Sequence, residues 1–135
     1  MDGKKQGHGR FKWIDGSTYE GEFKQNNIDG KGLYKWADGR QFEGSWVNNK
    51  MNGTGKFIWI DGKVYVGEYI NDLKHGFGEF VWPDKRKYKG QWKNGKQHGR
   101  GVFTAADGLV REGEWADGRR VKWMDSGDTG SERDF

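Results

Sequence analysis

Glycine recurs in this chain at a fixed interval. Gly7, Gly30, Gly53, Gly76 and Gly99 are spaced by 23 residues with no insertion or deletion. A period of that length marks an architecture in which each copy is one supersecondary unit that buries its apolar face only by stacking on its neighbours. The other columns keep step: Gly9, Gly32, Gly55, Gly78 and Gly101; then Phe11, Tyr34, Phe57, Phe80 and Phe103; then Trp13, Trp36, Trp59 and Trp82. After a turn the return limb carries Tyr19, Phe42, Tyr65 and Tyr88, then Gly21, Gly44, Gly67, Gly90 and Gly113, then Phe23, Trp46, Tyr69, Trp92 and Trp115. Four columns hold 19 of the 24 glycines and four others hold 18 of the 21 aromatic residues, so the period governs where the unusual residues fall.

That distribution decides how the composition is read. Leu, Ile, Val and Phe number only 23 of 135 residues, a level that in a highly charged chain signals disorder. Here the net charge is only +4 and 8 tryptophans supply apolar area in a few large pieces. Glycines scattered throughout exclude a helical domain, since each costs about 1 kcal/mol inside a helix. The absence of cysteine removes disulfides and thiolate chemistry. Met1 is followed by Asp2-Gly3-Lys4-Lys5 and the apolar runs are short, so no signal peptide or membrane span is read and a cytoplasmic location is expected.

Within each limb, large or glycine positions alternate with polar ones, the period of a strand with one covered face. Asp15-Gly16, Asp38-Gly39, Asp61-Gly62 and Asp107-Gly108 join the limbs, with Asp84-Lys85 as the exception, and Asp-Gly between alternating runs predicts a hairpin. Pairing of opposite charges then suggests that Lys12 faces Glu20, Arg10 faces Glu22, Lys35 faces Glu43, Lys56 faces Glu68 and Ile58 faces Val66. The same register sets Phe11 opposite Gly21, Gly9 opposite Phe23 and Trp13 opposite Tyr19, leaving the turn type open to a bulge. Short polar segments such as Asn48-Asn49-Lys50-Met51-Asn52 connect successive hairpins. The expected fold is all-β: an elongated, single-layer, twisted antiparallel meander of five hairpins and ten strands. Its units are 7–29, 30–52, 53–75, 76–98 and 99–121, preceded by a partial repeat or cap at 1–6 and followed by an edge segment and flexible tail at 122–135.

The string from Tyr88 to Gly101, Tyr-Lys-Gly-Gln-Trp-Lys-Asn-Gly-Lys-Gln-His-Gly-Arg-Gly, resembles the MORN (membrane occupation and recognition nexus) repeat, as does the whole 23-residue pattern over about residues 2–121. Asp2 to Gln6 reads as the tail of a sixth copy, either a natural cap or the cut end of a longer chain. The resemblance implies a non-catalytic module, of a kind found in scaffold proteins and as a regulatory part of larger enzymes. What it binds has to be argued from its surface.

No catalytic constellation emerges. His75 and His98 lie one repeat apart without a third ligand, so neither a metal nor a cofactor is expected. The acid pairs Glu20 with Glu22, and Glu112 with Glu114, are read as strand-face partners of basic residues. The Phe11 and Phe23 columns persist in all five copies and are assigned to packing. The columns of Trp13, Trp36, Trp59 and Trp82 and of Tyr19, Phe42, Tyr65 and Tyr88 give way to Ala105 and Arg111 in the fifth copy. They are therefore read as an aromatic groove for a partner protein's helix or extended peptide, in a cytoskeletal or membrane-proximal assembly. The alternative is a phospholipid-binding module, resting on the acid-free stretch that holds Lys85, Arg86, Lys87, Lys89, Lys93 and Lys96. That stretch would serve an acidic partner equally. Nucleic acid is not expected, because the rings alternate with acids. An open sheet edge also admits a homodimer.

Overall fold

The structure is a computed structural model that describes residues 5–124. Eleven strands follow in chain order: β1 (Gly7–Lys12), β2 (Thr18–Lys24), β3 (Asn27–Lys35), β4 (Gln41–Val47), β5 (Lys50–Ile58), β6 (Val64–Ile70), β7 (Leu73–Val81), β8 (Lys87–Lys93), β9 (Lys96–Thr104), β10 (Val110–Ala116) and β11 (Arg119–Trp123). They form one antiparallel sheet in which each strand pairs only with its neighbours in sequence. No helix occurs among the described residues. This is the expected open meander with one strand more than the five hairpins require, because the apolar segment at Val121–Met124 falls in and beside the added edge strand β11. Eleven strands span about 48 Å. The tail expected beyond Met124 lies outside the described residues, as do residues 1–4 of the N-terminal partial repeat.

Two kinds of turn alternate. At the Asp-Gly turns the loop holds three residues: Trp13 N–H donates to the Ser17 carbonyl at 2.9 Å, Gly16 N–H donates to the Trp13 carbonyl at 3.0 Å, and Gly16 sits at φ 97°. This is a type I turn followed by a glycine bulge. The aspartate holds the loop, its carboxylate accepting from Ser17 N–H at 2.9 Å, and the corresponding bonds recur at Arg40, Lys63, Arg86 and Leu109. The other turns are two-residue connections with positive φ at both positions: Gln25-Asn26, Asn48-Asn49, Asn71-Asp72, Asn94-Gly95 and Asp117-Gly118. They have the primed geometry that suits strand twist. The stretch Asn48–Asn52, read from sequence as a connecting segment, is thus one such turn followed by the start of β5.

The three-residue loop changes the register expected from charge pairing. Arg10 lies opposite Glu20, Lys12 opposite Thr18, and Phe11 opposite Tyr19, two residues away from the pairing set by Lys12 with Glu20. Lys35 faces Gln41, Lys56 faces Glu43 and Val66, and Ile58 faces Gln41 and Val64. A shift of two leaves every side chain on its expected face. What changes is the partner, and like now meets like. Gly9, Gly21, Gly32, Gly44 and Gly55 form one row across the strands, while Phe11, Tyr19, Tyr34, Phe42 and Phe57 form the next.

Glu22, freed from Arg10, takes a different role. Between Gly21 and Phe23 the pairing of β2 with β3 jumps by two, and the same jump recurs after Gly44, Gly67 and Gly90. Gly30, at φ 107°, turns the backbone through this bulge, and the Glu22 carboxylate accepts from Lys31 N–H at 2.9 Å. A side chain at Gly30 would be strained by its φ and would run into that carboxylate.

The rows of rings and glycines make the core. Tyr19, Phe42, Tyr65 and Tyr88 are 0% exposed. Each ring lies over a glycine one strand on: a methyl group added at Gly32 would fall on the Tyr19 ring, at Gly55 on Phe42, at Gly78 on Tyr65 and at Gly101 on Tyr88. Phe23, Trp46, Tyr69, Trp92 and Trp115 close the arrangement edge-on, with Tyr19 to Phe23 at 5.1 Å and 83° and Tyr88 to Trp92 at 5.3 Å and 89°. Gly78→Ala is expected to cost about 3 kcal/mol through overpacking and to lower the melting temperature by about 10 °C. Gly108→Ala, with open space around its Cβ but φ 96°, is expected to cost only about 1 kcal/mol. Thermal unfolding of the two variants checks the difference.

Candidate functional site

The groove expected from sequence divides into two parts with different fates. Its Tyr19, Phe42, Tyr65 and Tyr88 column does not reach the surface, because the two-residue register shift lays these rings on the glycine row. They are core, and the inference from their loss at Arg111 is corrected: there Trp123 on β11 comes opposite Gly113, and Arg111 stacks on it at 4.2 Å. The Trp13, Trp36, Trp59 and Trp82 column remains half-exposed at the Asp-Gly end of the strands. Three of the indoles lean on a ring of the following copy, Trp13 on Tyr34 at 5.3 Å, Trp36 on Phe57 at 5.2 Å and Trp59 on Phe80 at 5.3 Å, while Trp82 packs on Phe80 of its own copy at 4.5 Å. The result is a continuous strip.

Hydrogen bonding separates these indoles from the buried ones. The Trp46 indole Nε1–H donates to the Gly32 carbonyl at 3.2 Å and the Trp92 indole Nε1–H donates to the Gly78 carbonyl at 3.1 Å. Among the described residues the indole Nε1–H groups of Trp13, Trp36, Trp59 and Trp82 meet no protein acceptor, although their backbone N–H groups close the loops. A half-exposed indole with an unused donor is the amphipathic anchor type that interfaces favour. Arg40 stacks on Trp36 at 5.1 Å and Arg86 on Trp82 at 5.2 Å, each held by the aspartate two residues before it, at 2.9 and 2.8 Å. A shallow depression lined by Arg40, Trp59, Ile60 and Asp61 opens beside the strip. Hydrogen bonds from backbone N–H groups hold the Asp61 and Asp84 carboxyls below the usual carboxylate range, and the Ser17 hydroxyl does the same for Asp15.

One candidate residue went unread in the sequence. Lys74 occupies the column of Ile28 and Met51 and places its ammonium among the rings of Trp59, Tyr65, Phe80 and Trp92, at 5.4 to 5.8 Å from their centroids. The signal was available as a lysine in a position where two other copies are apolar.

The basic stretch does not gather into one patch. Arg86 lies with Trp82 on the aromatic side and is paired with Asp84. Lys87, Lys89 and Lys93 alternate with the buried Tyr88, Gly90 and Trp92 and so point from the opposite face of β8. Lys85 is at the Asp-type turn, while Lys96 pairs with Lys93 at the other end of a seven-residue strand, about 20 Å away. Lys89 is also set opposite Glu79. Elsewhere on the sheet Glu20 pairs with Arg10 at 3.8 Å, Glu112 with Arg100 at 3.9 Å and Glu114 with Lys122 at 3.9 Å. Among the described residues no three His, Asp or Glu side chains come together as a metal site would require, and no helix is long and apolar enough to cross a membrane.

The family model described as MORN repeat matches residues 1–18, 19–39, 42–64, 65–85, 88–110 and 112–121. The chain belongs to the MORN repeat family. Among curated proteins none matches it significantly. MORN repeats are generally non-catalytic modules that bind protein or lipid. Their frame opens on the column of Tyr19, Phe42, Tyr65 and Tyr88, so the family unit starts on the ring that covers the next strand. It has the same period as the units read from sequence, begun at another point.

The buried phenols of this MORN array carry a pH signature. Burial pushes Tyr19 and Tyr88 up to about 12 and Tyr65 higher still, and their hydroxyls donate to the carbonyls of Glu22 at 3.0 Å, Gln91 at 2.9 Å and Glu68 at 3.0 Å, bonds that only the neutral phenol can make. The folded state therefore favours the neutral phenol. Its contribution is complete below about pH 10, the unfolded value, and is lost as pH rises toward 12. A melting temperature that falls steeply between these limits is expected, with a shallower fall in the Tyr19→Phe, Tyr88→Phe double variant. Phe42 already serves in the equivalent position, so the double variant keeps the fold.

Proposed function

We propose that this chain is a non-catalytic adaptor whose strip of Trp13, Trp36, Trp59 and Trp82 docks a helical or extended segment of another protein in a cytoskeletal or membrane-proximal assembly. The observation that carries the reading is the four half-exposed indoles whose N–H groups lack an acceptor among the described residues. From Trp13 to Trp82 the strip crosses six strand spacings, about 29 Å, the length of a helix of about 19 residues. Burying the indoles against apolar side chains supplies affinity, and the unused donors fix the register of the segment. A photoreactive residue placed at exposed Ile60 in the full chain, expressed in its own cells, is expected to label a protein. The label is expected to vanish in the Trp36→Ala, Trp59→Ala double variant, since an anchor tryptophan contributes about 2 kcal/mol or more to binding. Labelling of protein that survives the double substitution counts against the strip as the docking surface.

A second reading has its own support in Lys87, Lys89 and Lys93, which are exposed on the face away from the rings. Each would contribute about 1 kcal/mol next to an anionic lipid surface. On that reading the chain sediments with anionic vesicles at physiological salt and the Lys87→Glu, Lys89→Glu, Lys93→Glu variant does not. Absence of sedimentation by the unaltered chain removes the lipid reading and leaves protein docking untouched.

A further inference from the structure

The side chains at Lys5, Ile28, Met51, Lys74, Gln97 and Arg120 occupy equivalent places, one per copy, beside the buried rings. Ile28 and Met51 are buried there, as an aromatic face requires. Lys74 brings a charge to the same place. Its ammonium stands 5.4 Å from the Trp59 ring and 5.5 Å from the Trp92 ring, with Tyr65 and Phe80 beneath. Among the described residues no carboxylate lies within ion-pair distance of it. The charged group that acts on it is Lys63, itself paired with Asp61 at 3.3 Å. Burial first, and Lys63 second, lower its pKa. Arg40 and Arg86, which also stack on the strip, each have an aspartate. Ring faces attract a cation, but they do not replace the hydration an ammonium loses on burial.

We infer that the protein segment docked on the tryptophan strip presents an aspartate or glutamate side chain to Lys74, which makes this lysine the point of charge recognition on a strip whose other cations are paired with their own aspartates. The inference rests on the docking function proposed above and names the chemistry of its partner. The charge lacking at Lys74 is negative, and a carboxylate brought there as water is displaced meets an ammonium in a medium where their attraction is stronger than in solvent. Lys74 touches Trp59, and the strip continues through Trp36 and Trp13 on one side and Trp82 on the other. The acid is therefore flanked by apolar groups on both sides. That pattern belongs to a chain of amino acids and not to a fatty acid, whose carboxylate is terminal.

The probe is a phage-displayed library of helical peptides of about 20 residues, selected against the full chain and sorted by loss of binding to the Trp36→Ala variant, a tryptophan that does not touch Lys74. Peptides dependent on Trp36 are expected to share an acidic residue at one position. Its change to Gln or Asn is expected to weaken binding about tenfold to the unaltered chain and less than twofold to Lys74→Met. Met51 occupies the equivalent site, so that variant keeps the fold, and Lys74→Gln, which repeats the residue Gln97 of the next copy, serves as a second. Trp36-dependent peptides without a shared acid, or an acid whose loss weakens binding equally to Lys74→Met, overturn this inference and leave the docking strip in place. Tighter binding when trimethyllysine replaces the acid overturns it as well, marking the rings as a cage for a quaternary ammonium. Binders indifferent to Trp36, or no binders at all, overturn the docking function and this inference with it.

Discussion

The structure depends on an aromatic ring lying flat on a strand that has no side chain beneath it. A sheet of one layer ordinarily leaves both faces wet, and its apolar face finds stability only against a second layer. Here the second layer is made of the sheet's own rings. Tyr19 reaches over Gly32, Phe42 over Gly55, Tyr65 over Gly78 and Tyr88 over Gly101. The direction is the same in every copy, so each unit is completed by the one that follows. Stability then accumulates by nearest-neighbour contacts along the array. The last glycine of the row, Gly113, breaks the scheme: Trp123 from β11 comes opposite it, packed edge-on to Trp115 at 6.1 Å.

The same arrangement explains why tryptophan does two jobs. In the column of Trp46 and Trp92 the indole packs edge-on to a core ring, and its N–H reaches the carbonyl of a glycine in the row below. That carbonyl is accessible because its residue has no side chain. In the column of Trp13 to Trp82 the ring stands at the loop end of the strand, beyond the last glycine, where no such carbonyl is offered. Burial alone separates the two columns by degree, whereas the fate of the N–H separates them by kind.

Much of this was legible in the sequence. The 23-residue period, the alternation of faces and the meander follow from glycine and aromatic spacing with little room for another solution, whereas the edge segment at the end of the chain left open whether it would add the strand that β11 turns out to be. The register did not follow, for a local reason: Asp-Gly serves both the two-residue and the three-residue hairpin, and Trp13 to Ser17 forms the second. Charge pairing could not arbitrate, because a shift of two merely exchanges Lys12 for Arg10 opposite Glu20. The error had a consequence at the site. With Phe11 opposite Gly21, glycine would make room for the ring beside it. With Gly21 opposite Gly32, room is made for a ring two residues along the strand, and the Tyr19 column sinks into the core. Asn48-Asn49 misled for the opposite reason: two non-glycine residues at positive φ carry a tight turn that composition presents as a linker.

A repeat that is regular in its core has to carry its identity elsewhere. On the aromatic face two columns vary from copy to copy, while the glycine rows and the Phe11 and Phe23 ring columns keep their residue class in all five copies. One runs Ser17, Arg40, Lys63, Arg86, Leu109, and the other Lys5, Ile28, Met51, Lys74, Gln97, Arg120. In the first, the cations are tied to the aspartates that build their own loops, so their charge is largely answered within the molecule. In the second, Lys74 is answered only by rings. The backbone at this column is set by the tight turn and the bulge, neither of which involves the side chain. The fold therefore leaves this column free to vary, and on the docking function proposed above it is the column by which one partner would be told from another.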